Sequence, residues 1–332
     1  MSTAPSPYQW QDKRILITGG LGFIGSNLAR RLVELKADVV VLDSLIPEYG
    51  GNLFNVHGIE DRIRINISDV RDKYSLQHLV HDRDIVFNLA GQTSHLDSMH
   101  NPLIDLEINA AAQLHILEAC RHERPDARII FASTRQIYGR PQFLPINESH
   151  PINPTDVNGI HKAAGEWYHL LYNNVHGMWC TALRLTNTYG PRMRIKDARQ
   201  TFLGIWIRHA VAGTPFEVWG GEQLRDFNYV DDTVDALLRA AECDEARGKA
   251  FNVGGCEVIN LHDVAAMLDD IAGGAPFEVK QFPPERKRID IGDYYADDSL
   301  FRATTGWAPQ VPLREGLTRT LDYYRTNLER YL

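Results

Sequence analysis

Three glycines in one short segment have the spacing of a phosphate-binding turn. They are Gly19, Gly22 and Gly25, within residues 18–25 (TGGLGFIG), between an apolar run and an amphipathic one. Gly19 permits a tight turn, Gly22 lets the backbone approach a pyrophosphate, and Gly25 lets a helix pack closely against a strand. Free N–H groups and the dipole at the start of that helix favour an anion. The segment therefore predicts a dinucleotide-binding loop.

Acidic residues follow the next two β-rich runs. Asp43 comes 18 residues after the third glycine, where a carboxylate accepts hydrogen bonds from the adenosine ribose and repels a 2′-phosphate. This favours NAD over NADP, although a solvated Asp at a strand end is the alternative. Asp69 and Val70 are placed to flank the adenine, but Asp69 is equally explained as a turn residue. We expect Phe23 and Ile24, at the start of the helix, to contact the same cofactor.

The elements that must position these residues alternate between apolar runs and amphipathic stretches. Strands are predicted over 14–18, 38–43, 62–67, 84–90, 127–133 and 181–185, and helices over 23–36, 103–121 and 158–174. Continuous apolar strands separated by helices are typical of a parallel sheet covered on both faces. The predicted fold is α/β, a Rossmann-type doubly wound parallel sheet with a smaller, interleaved C-terminal substrate-binding lobe.

The pattern changes after residue 190, where prolines, glycines and charges interrupt it. A helix over 231–242, a strand over 250–253 and a closing helix over 313–328 are still recognisable. The predicted division is a flexible tail (1–13), an NAD-binding domain (14–190, rejoined by 231–254) and a substrate-binding lobe (191–230 and 255–332).

The composition is that of a globular protein and argues against several other classes. Of 332 residues, 44% are hydrophobic and 23% are charged, so the chain can bury a large core and is not intrinsically disordered. Its 35 basic and 43 acidic residues give a net charge of −8, which argues against a nucleic-acid partner. No apolar run is long enough for a membrane helix, and residues 1–13 lack the apolar core of a signal peptide.

Cysteines are sparse in this chain. Cys120, Cys180, Cys243 and Cys256 form no Cys-x-x-Cys metal or redox pair, and we predict no metal site. Their small number fits a reducing cytoplasm. We expect all four to be small hydrophobic fillers.

Several segments together carry a family resemblance. Besides the glycine loop they are 69–72 (DVRD), 88–91 (NLAG), 131–134 (FAST), 138–139 (YG), 185–191 (LTNTYGP), 225–227 (RDF) and 230–232 (VDD). They resemble the extended short-chain dehydrogenase/reductases, and more narrowly the nucleotide-sugar epimerases and dehydratases similar to UDP-glucose 4-epimerase. The resemblance extends from residue 15 to about residue 324.

The resemblance implies a cofactor, a substrate and an assembly. The cofactor is a tightly held NAD, which Leu89, Ala90 and Gly91 also contact. The substrate is a nucleoside-diphosphate sugar bound by the second lobe. The assembly is a homodimer through the helices over 103–121 and 158–174.

The resemblance also implies a catalytic machinery, from which this chain departs. In the family, a Tyr-x-x-x-Lys pair on one helix face supplies the base and holds the nicotinamide ribose, and a Ser or Thr shares the proton. Lys162 and Thr134 match the lysine and the hydroxyl residue, but Asn158 occupies the tyrosine position. A carboxamide does not titrate near neutral pH, so Asn158 can orient a hydroxyl but cannot be an ordinary base.

Three residues are candidates for the missing base. His161 lies three residues from Asn158, and an imidazole titrates near neutral pH, although a surface histidine is an equally good interpretation. His95 follows the fourth strand in a segment similar to the Ser-His-Val-Asp stretch of 4,6-dehydratases, where it is either functional or architectural. Asp156 is the third candidate and could equally be a helix N-cap.

The residues expected to meet the sugar and its diphosphate are mainly basic. The dehydratases have Asp-Glu directly after their Thr, whereas Arg135 and Gln136 stand here. We expect Arg135 to pair with a substrate carboxylate or phosphate, or with a carboxylate on the rim. By resemblance, the substrate-binding residues are Asn187, Arg225, Arg286, Arg288 and Asp290.

The sequence thus predicts an NAD-dependent epimerase, acting at C4 of a UDP-hexose or UDP-hexuronate. Without the Asp-Glu pair, ordinary 4,6-dehydration is disfavoured. Two alternatives stay open. One is an atypical nucleotide-sugar dehydratase or oxidoreductase, and the other is a non-catalytic NAD-binding protein that has lost the tyrosine base.

Overall fold

The computed structural model describes residues 8–197, 199, 201–282 and 290–332. The strands are β1 (Arg14–Thr18), β2 (Asp38–Asp43), β3 (Arg64–Ile67), β4 (Ile85–Asn88), β5 (Arg128–Thr134), β6 (Trp179–Leu185), β7 (Asn187–Tyr189), β8 (Phe216–Trp219), β9 (Leu224–Tyr229), β10 (Ala250–Val253), β11 (Val258–Asn260) and β12 (Phe277–Lys280). The helices are α1 (Phe23–Glu34), α2 (Lys73–Val80), α3 (His95–His100), α4 (Pro102–Leu106), α5 (Ala112–Glu123), α6 (Val157–His176), α7 (Phe202–Ala212), α8 (Val230–Glu242), α9 (Leu261–Ala272), α10 (Ser299–Thr305) and α11 (Leu313–Asn327). None of these helices is long and apolar enough to span a membrane.

One parallel sheet organises the first half of the chain. Seven of the described strands form it in the order β3-β2-β1-β4-β5-β6-β10, and each neighbouring pair runs in the same direction. The predicted doubly wound α/β sheet is therefore confirmed. The strand order reverses between β1 and β4, so the loops after these two strands diverge and leave a crevice at the carboxyl edge.

Both faces of this sheet are covered by helices. Ile15 and Ile17 of β1 pack into a core with Leu28 of α1 and Leu237 of α8. Leu16, between them, packs on the opposite side, in a second core with residues of α2 and α5. Successive side chains of a strand point to opposite faces, which explains why the strands are apolar throughout.

The helix predicted over 103–121 is interrupted by a wider turn. Helical structure runs from Pro102 to Glu123, but the five residues Glu107–Ala111 form a π-helical turn between α4 and α5. Asn109 lies in this turn with its side chain buried. Its Nδ2 donates to the Gln92 carbonyl at 2.9 Å and to Asp105 at 3.0 Å. The turn therefore carries an amide towards the carboxyl end of β4.

A second core lies beside the main sheet. The three-stranded sheet β11-β9-β7 and the two-stranded sheet β12-β8 surround it, and Trp206, Phe216 and Leu317 are among its buried residues. In contrast, β10 pairs with β6 in the main sheet. The division of the chain into two domains at the predicted boundaries stays a prediction.

The expectation of a flexible tail over 1–13 is wrong for its last part. Trp10 is only 4% exposed, packs against Phe87 with ring centroids 6.3 Å apart, and donates from Nε1 to Glu242 at 2.7 Å. Burial of an indole with its N–H satisfied anchors this segment to the core. Residues 1–7 lie outside the described residues.

The expectation for the cysteines is wrong for one of the four. Cys120 and Cys180 are buried, and burial raises the pKa of the Cys120 thiol to about 12. Cys243 is partly buried and packs against the main core, whereas Cys256 is exposed and is not a core filler.

Candidate active site

A large cavity of about 1060 Å³ opens at the carboxyl edge of the parallel sheet. The predicted site residues on its wall are Gly19, Gly22, Phe23, Ile24, Gly25, Asp43, Asp69, Val70, Leu89, Ala90, Gly91, His95, Thr134, Arg135, Asn158, Lys162, Asn187, Arg225 and Asp290. His161 is not among the wall residues, and Arg286 and Arg288 lie outside the described residues. One cavity thus brings the dinucleotide loop and the expected sugar-binding residues together.

The glycine loop leaves the N-terminus of α1 open to an anion. Gly19 has a φ of +70°, which side chains rarely adopt. A Cβ on Gly25 would lie 2.2 Å from the Gly19 carbonyl oxygen, so glycine alone permits this close approach. Gly22 precedes α1, and no described side chain caps the first N–H groups of the helix. The loop therefore fits a dinucleotide pyrophosphate, which those N–H groups would bind.

Asp43 holds the glycine loop in place. Its Oδ2 accepts a hydrogen bond from the N–H of Leu21 at 3.0 Å, and its Oδ1 accepts one from the N–H of Leu45 at 2.8 Å. Burial raises the pKa of this carboxyl, against the lowering effect of those N–H groups. Each oxygen can accept a further hydrogen bond, and the contact with the ribose stays a prediction.

Asp69 is a turn residue paired with an arginine. Its Oδ1 accepts a hydrogen bond from the backbone N–H of Arg71 at 2.8 Å, and its Oδ2 lies 2.8 Å from Nη2 of the same residue. The Arg71 guanidinium holds the pKa of the Asp69 carboxyl below its usual range. The turn interpretation is therefore right, and contact with the adenine stays a prediction for Asp69 and Val70.

Lys162 extends from α6 to the carboxyl end of β5. Its Nζ donates to the Ala132 carbonyl at 2.5 Å and lies 4.4 Å from the centroid of the Phe131 ring. Burial lowers the pKa of Lys162 to about 8, although the carboxylates of Asp105 and Glu166 oppose this shift. The ammonium group therefore loses its charge within a pH range that is easy to test.

Asn158 is held by acceptors from two other segments. Its Nδ2 donates to the Gln92 carbonyl at 2.8 Å and to Asp105 Oδ2 at 3.1 Å, and it lies 3.3 Å from Gln92 Oε1. Because all three partners are acceptors, the amide nitrogen must face them. The side chain is buried at the cavity wall. Asn158 is therefore fixed as a neutral donor.

The hypothesis that His161 replaces the base stays a prediction. Its Nδ1 lies 2.7 Å from Oδ1 of Asp105, which is buried, and His161 is not among the residues that line the cavity. Asp105 thus receives donors from His161, Asn158 and Asn109. A buried carboxylate needs hydrogen-bond donors, and this need explains the position of the His161 side chain.

His95 reaches the cavity next to the first turn of α6. Its Nδ1 lies 2.8 Å from Oδ2 of Asp156, and 38% of its side chain is exposed, whereas the Asp156 side chain is fully buried. Burial tends to raise the pKa of Asp156, but His95, the N–H of Gly159 and the amide of Gln136 outweigh it and keep the pKa below its usual value. Asp156 also caps α6, because its Oδ1 accepts from the N–H of Gly159 at 2.7 Å.

Thr134 and Arg135 lie at the carboxyl end of β5. Thr134 Oγ1 accepts a hydrogen bond from the N–H of Gln136 at 3.2 Å. The Arg135 guanidinium stacks on Tyr294 with its Cζ 5.1 Å from the ring centroid, and Nη2 donates to Asn187 Oδ1 at 3.0 Å. Both residues line the cavity, so a hydroxyl and a cation stand side by side.

Arg225 is a second, deeper cation. It is 5% exposed, its Nη1 donates to the carbonyls of Leu224 and Gly292, and its Nη2 lies 3.5 Å from Asp290. Burial, together with the charge of Arg135, lowers the pKa of Arg225 to about 10. Two guanidinium groups that act on each other therefore lie on one wall of the cavity, and binding of an anionic group of the substrate there stays a prediction.

Sequence reasoning missed Gln92, Asp105, Asn109 and Thr18. The i, i+4 spacing of Asp105 and Asn109, which places both side chains on one face of the helix, was the available signal for a pair. Thr18 Oγ1 accepts hydrogen bonds from the N–H groups of Leu89 and Ala90 at 3.1 Å each. Nothing in the sequence distinguishes this threonine from any other at a strand end.

The chain is similar to known proteins over most of its length. Residues 15–254 match the model of the NAD dependent epimerase/dehydratase family. A UDP-glucose 4-epimerase of Mycolicibacterium smegmatis is 33% identical over 319 residues, covering 94% of this chain and 98% of its own. UDP-glucuronic acid decarboxylase 1 of Xenopus tropicalis is 31% identical and covers 96% of this chain and 73% of its own. The Thermotoga maritima UDP-glucose 4-epimerase structure with UDP-glucose has a TM-score of 0.86 at 29% identity, covering 95% of this chain and 99% of its own.

The change in the charge of Lys162 near pH 8 predicts that dinucleotide binding depends on pH. Below pH 8 the ammonium is charged and can hold ribose hydroxyls, and above it the charge is lost, because the pKa is lowered to about 8. We expect the affinity for NAD to fall as the pH rises from 7 to 9, measured by calorimetry. In Lys162→Arg the guanidinium stays charged, so the fall should disappear. A wild-type affinity that is constant up to pH 10 would contradict the assignment.

Proposed function

The chain belongs to the NAD dependent epimerase/dehydratase family and its cofactor is NAD; on that premise we propose that it is an epimerase that inverts C4 of a UDP-hexose or UDP-hexuronate. One observation supports epimerisation over dehydration. On the cavity wall Thr134 is followed by the guanidinium of Arg135 and the amide of Gln136, and neither group exchanges a proton near neutral pH. No acid–base pair for eliminating water stands at this position. The names of the relatives support uridine as the nucleotide.

Each residue on the cavity wall has its own role in the proposed reaction. NAD, when bound, supplies a reversible hydride acceptor for C4 of the sugar. Lys162 holds the nicotinamide ribose through its charge. Thr134 orients the reacting hydroxyl, because its Oγ1 already accepts from the N–H of Gln136 and its own proton is free to be donated. Arg225 binds the diphosphate together with Asn187, and Asp290 positions Arg225. Arg286 and Arg288 are proposed to assist.

His95 is the proton acceptor in this proposal. Oδ2 of Asp156 lies 2.8 Å from Nδ1 of His95, a contact through which the carboxylate holds the ring, and Nε2 is the nitrogen that takes the proton in this proposal. The pair resembles the arrangement in which a buried carboxylate orients a histidine base. Asn158, which cannot take a proton, lies two residues from Asp156 and fixes the first turn of α6 through Asp105.

We further propose a homodimer through α4 and α6. Large apolar side chains are exposed on both helices, including Leu103 (71%), Ile160 (53%), Trp167 (55%) and Leu171 (51%). The three on α6 share one face by their spacing. A contiguous apolar face of this kind marks an interaction surface. With its four cysteines free, the proposed location is the reducing cytoplasm.

The function is tested with the purified, NAD-loaded protein and the 4-epimeric pairs of UDP-hexoses and UDP-hexuronates. We expect NMR to show conversion of one 4-epimer into the other, without net reduced cofactor and without deuterium from D₂O at C5. Deuterium at C5 or C6 would indicate a dehydratase, and net reduction of NAD an oxidoreductase. No turnover of any pair despite bound NAD would favour a non-catalytic protein.

The role of His95 is tested by His95→Gln. We expect kcat to fall about 10²- to 10⁴-fold, the usual contribution of a general base, while NAD content and KM change less than about threefold. His161→Gln is the matched control, since His161 is not among the residues that line the cavity, and should retain most of the activity. If His95→Gln turns over at more than a third of the wild-type rate, another group takes the proton.

The dimer is tested by analytical ultracentrifugation. We expect the wild type to sediment as a dimer and the double variant Trp167→Glu/Leu171→Glu as a monomer, because two carboxylates would be buried in the interface. Tyr74→Glu is the control, since Tyr74 is 72% exposed and lies on α2, which is neither of the two proposed interface helices. A wild type that is monomeric at micromolar concentration would refute the proposal.

A further inference from the structure

Arg135 stands apart from the other buried arginines of the site. Arg184 is paired with Glu166 at 2.6 Å, and Arg225 lies 3.5 Å from Asp290. Among the described residues, no carboxylate forms an ion pair with Arg135, whose polar partner is the neutral amide of Asn187. Its Nη1 is buried and has no hydrogen-bond partner in the described part of the chain.

This arrangement is unfavourable for the protein alone. Burial lowers the pKa of the Arg135 guanidinium, yet arginine keeps its proton in proteins. A cation that forms no ion pair with a described carboxylate is only partly compensated for its lost solvation, here by Tyr294 and by the more distant charges of Asp226 and Asp290. The stacking on Tyr294 fixes the plane of the guanidinium, so the group is held rigidly at the wall. An anionic group of the substrate would supply the missing charge.

The position of Arg135 distinguishes between the two possible anions. It directly follows Thr134, which in the proposed function orients the C4 hydroxyl, and both line the cavity. In a hexuronate the carboxylate is attached at C5, the carbon next to C4. The diphosphate is attached at C1, which the ring oxygen joins to C5, so the neighbouring Arg225 can meet the diphosphate while Arg135 meets the carboxylate. A planar guanidinium also matches a carboxylate with two parallel hydrogen bonds.

We propose that the sugar is a hexuronate and that Arg135 binds its carboxylate. This inference rests on the proposed function and narrows its substrate class from hexose or hexuronate to hexuronate. It makes Arg135 the residue that decides specificity, and it leaves Arg225 to the part of the ligand that all nucleoside-diphosphate sugars share.

The test measures binding of UDP-glucuronate, UDP-glucose and UDP to the NAD-loaded protein by calorimetry. We expect the wild type to bind UDP-glucuronate about 10- to 100-fold more tightly than UDP-glucose, the range for a charge-assisted hydrogen-bonded pair. Arg135→Gln should abolish this difference and leave the affinities for UDP-glucose and UDP within about twofold. If UDP does not bind, the same two sugars linked to CDP, GDP or dTDP replace it.

Two further variants sharpen the test. Arg225→Gln separates binding of the carboxylate from binding of the diphosphate, and Arg135→Lys separates the charge of the guanidinium from its planar shape. Arg225→Gln should weaken all the ligands to a similar extent, because the diphosphate is common to them. Arg135→Lys keeps the charge without the planar fork and should recover part of the preference for the uronate. The melting temperature of the unliganded protein should not fall in Arg135→Gln, because the substitution removes a cation that no described carboxylate neutralises.

Three results would overturn the proposal. The first is a wild type that binds UDP-glucuronate no more tightly than UDP-glucose. The second is an equal loss for all ligands in Arg135→Gln, which would assign Arg135 to the diphosphate. The third is a lower melting temperature with an unchanged ligand preference, which would make Arg135 structural.

The two proposals fail in different ways. Discrimination through Arg135 without formation of a 4-epimer would refute the epimerase and leave the uronate site standing. If the wild type and Arg135→Gln epimerise UDP-glucose equally and neither prefers the uronate, the epimerase proposal is supported and the uronate site is refuted.

Discussion

The common direction of the strands in the main sheet is the constraint on which the site depends. Parallel strands end at one edge, so Gly22, Asp43, Ala90 and Thr134 border a single cavity although they are far apart in the sequence. The reversal of strand order between β1 and β4 opens the crevice there. Thr18 ties the two strand ends together by accepting from the N–H groups that follow β4. The sheet thus brings the glycine loop and the residues predicted to bind the sugar to one edge.

Asp105 explains the unusual start of α6. A buried carboxylate must be satisfied by donors, and Asn109, Asn158 and His161 converge on it from the π-helical turn and from α6. Asn at position 158 and His at position 161 therefore serve the same partner. The carboxamide occupies the position of the family's tyrosine base, and a second side chain, His95, lies at the cavity wall in contact with the buried Asp156.

The buried arginines show how charge is distributed between framework and site. Glu166 neutralises Arg184 and also accepts from Ser133 at 2.6 Å, which joins β5, β6 and α6. Arg225 lies near Asp290 at a longer distance. Arg135 stacks on Tyr294 and bonds an amide. The pairing of arginines with carboxylates is thus closest in the framework, at Arg184, and weakest at the cavity wall, at Arg135. A negatively charged ligand could complete the pairing there.

The sequence by itself determined the sheet, the glycine loop, the cofactor and the departure at Asn158. Apolar periodicity and glycine spacing are local properties, and the predicted strand and helix bounds lie within two residues of the observed ones, although the π-helical turn that divides the helix predicted over 103–121 was not foreseen. Only the tertiary structure separates His95 from His161. His95 lies on the cavity wall beside Asp156, whereas His161 is not among the wall residues and contacts the buried Asp105. The tertiary structure also decided the environment of Trp10 and left Arg135 without an ion pair among the described carboxylates. Burial and pairing depend on residues distant in sequence, which no local pattern records.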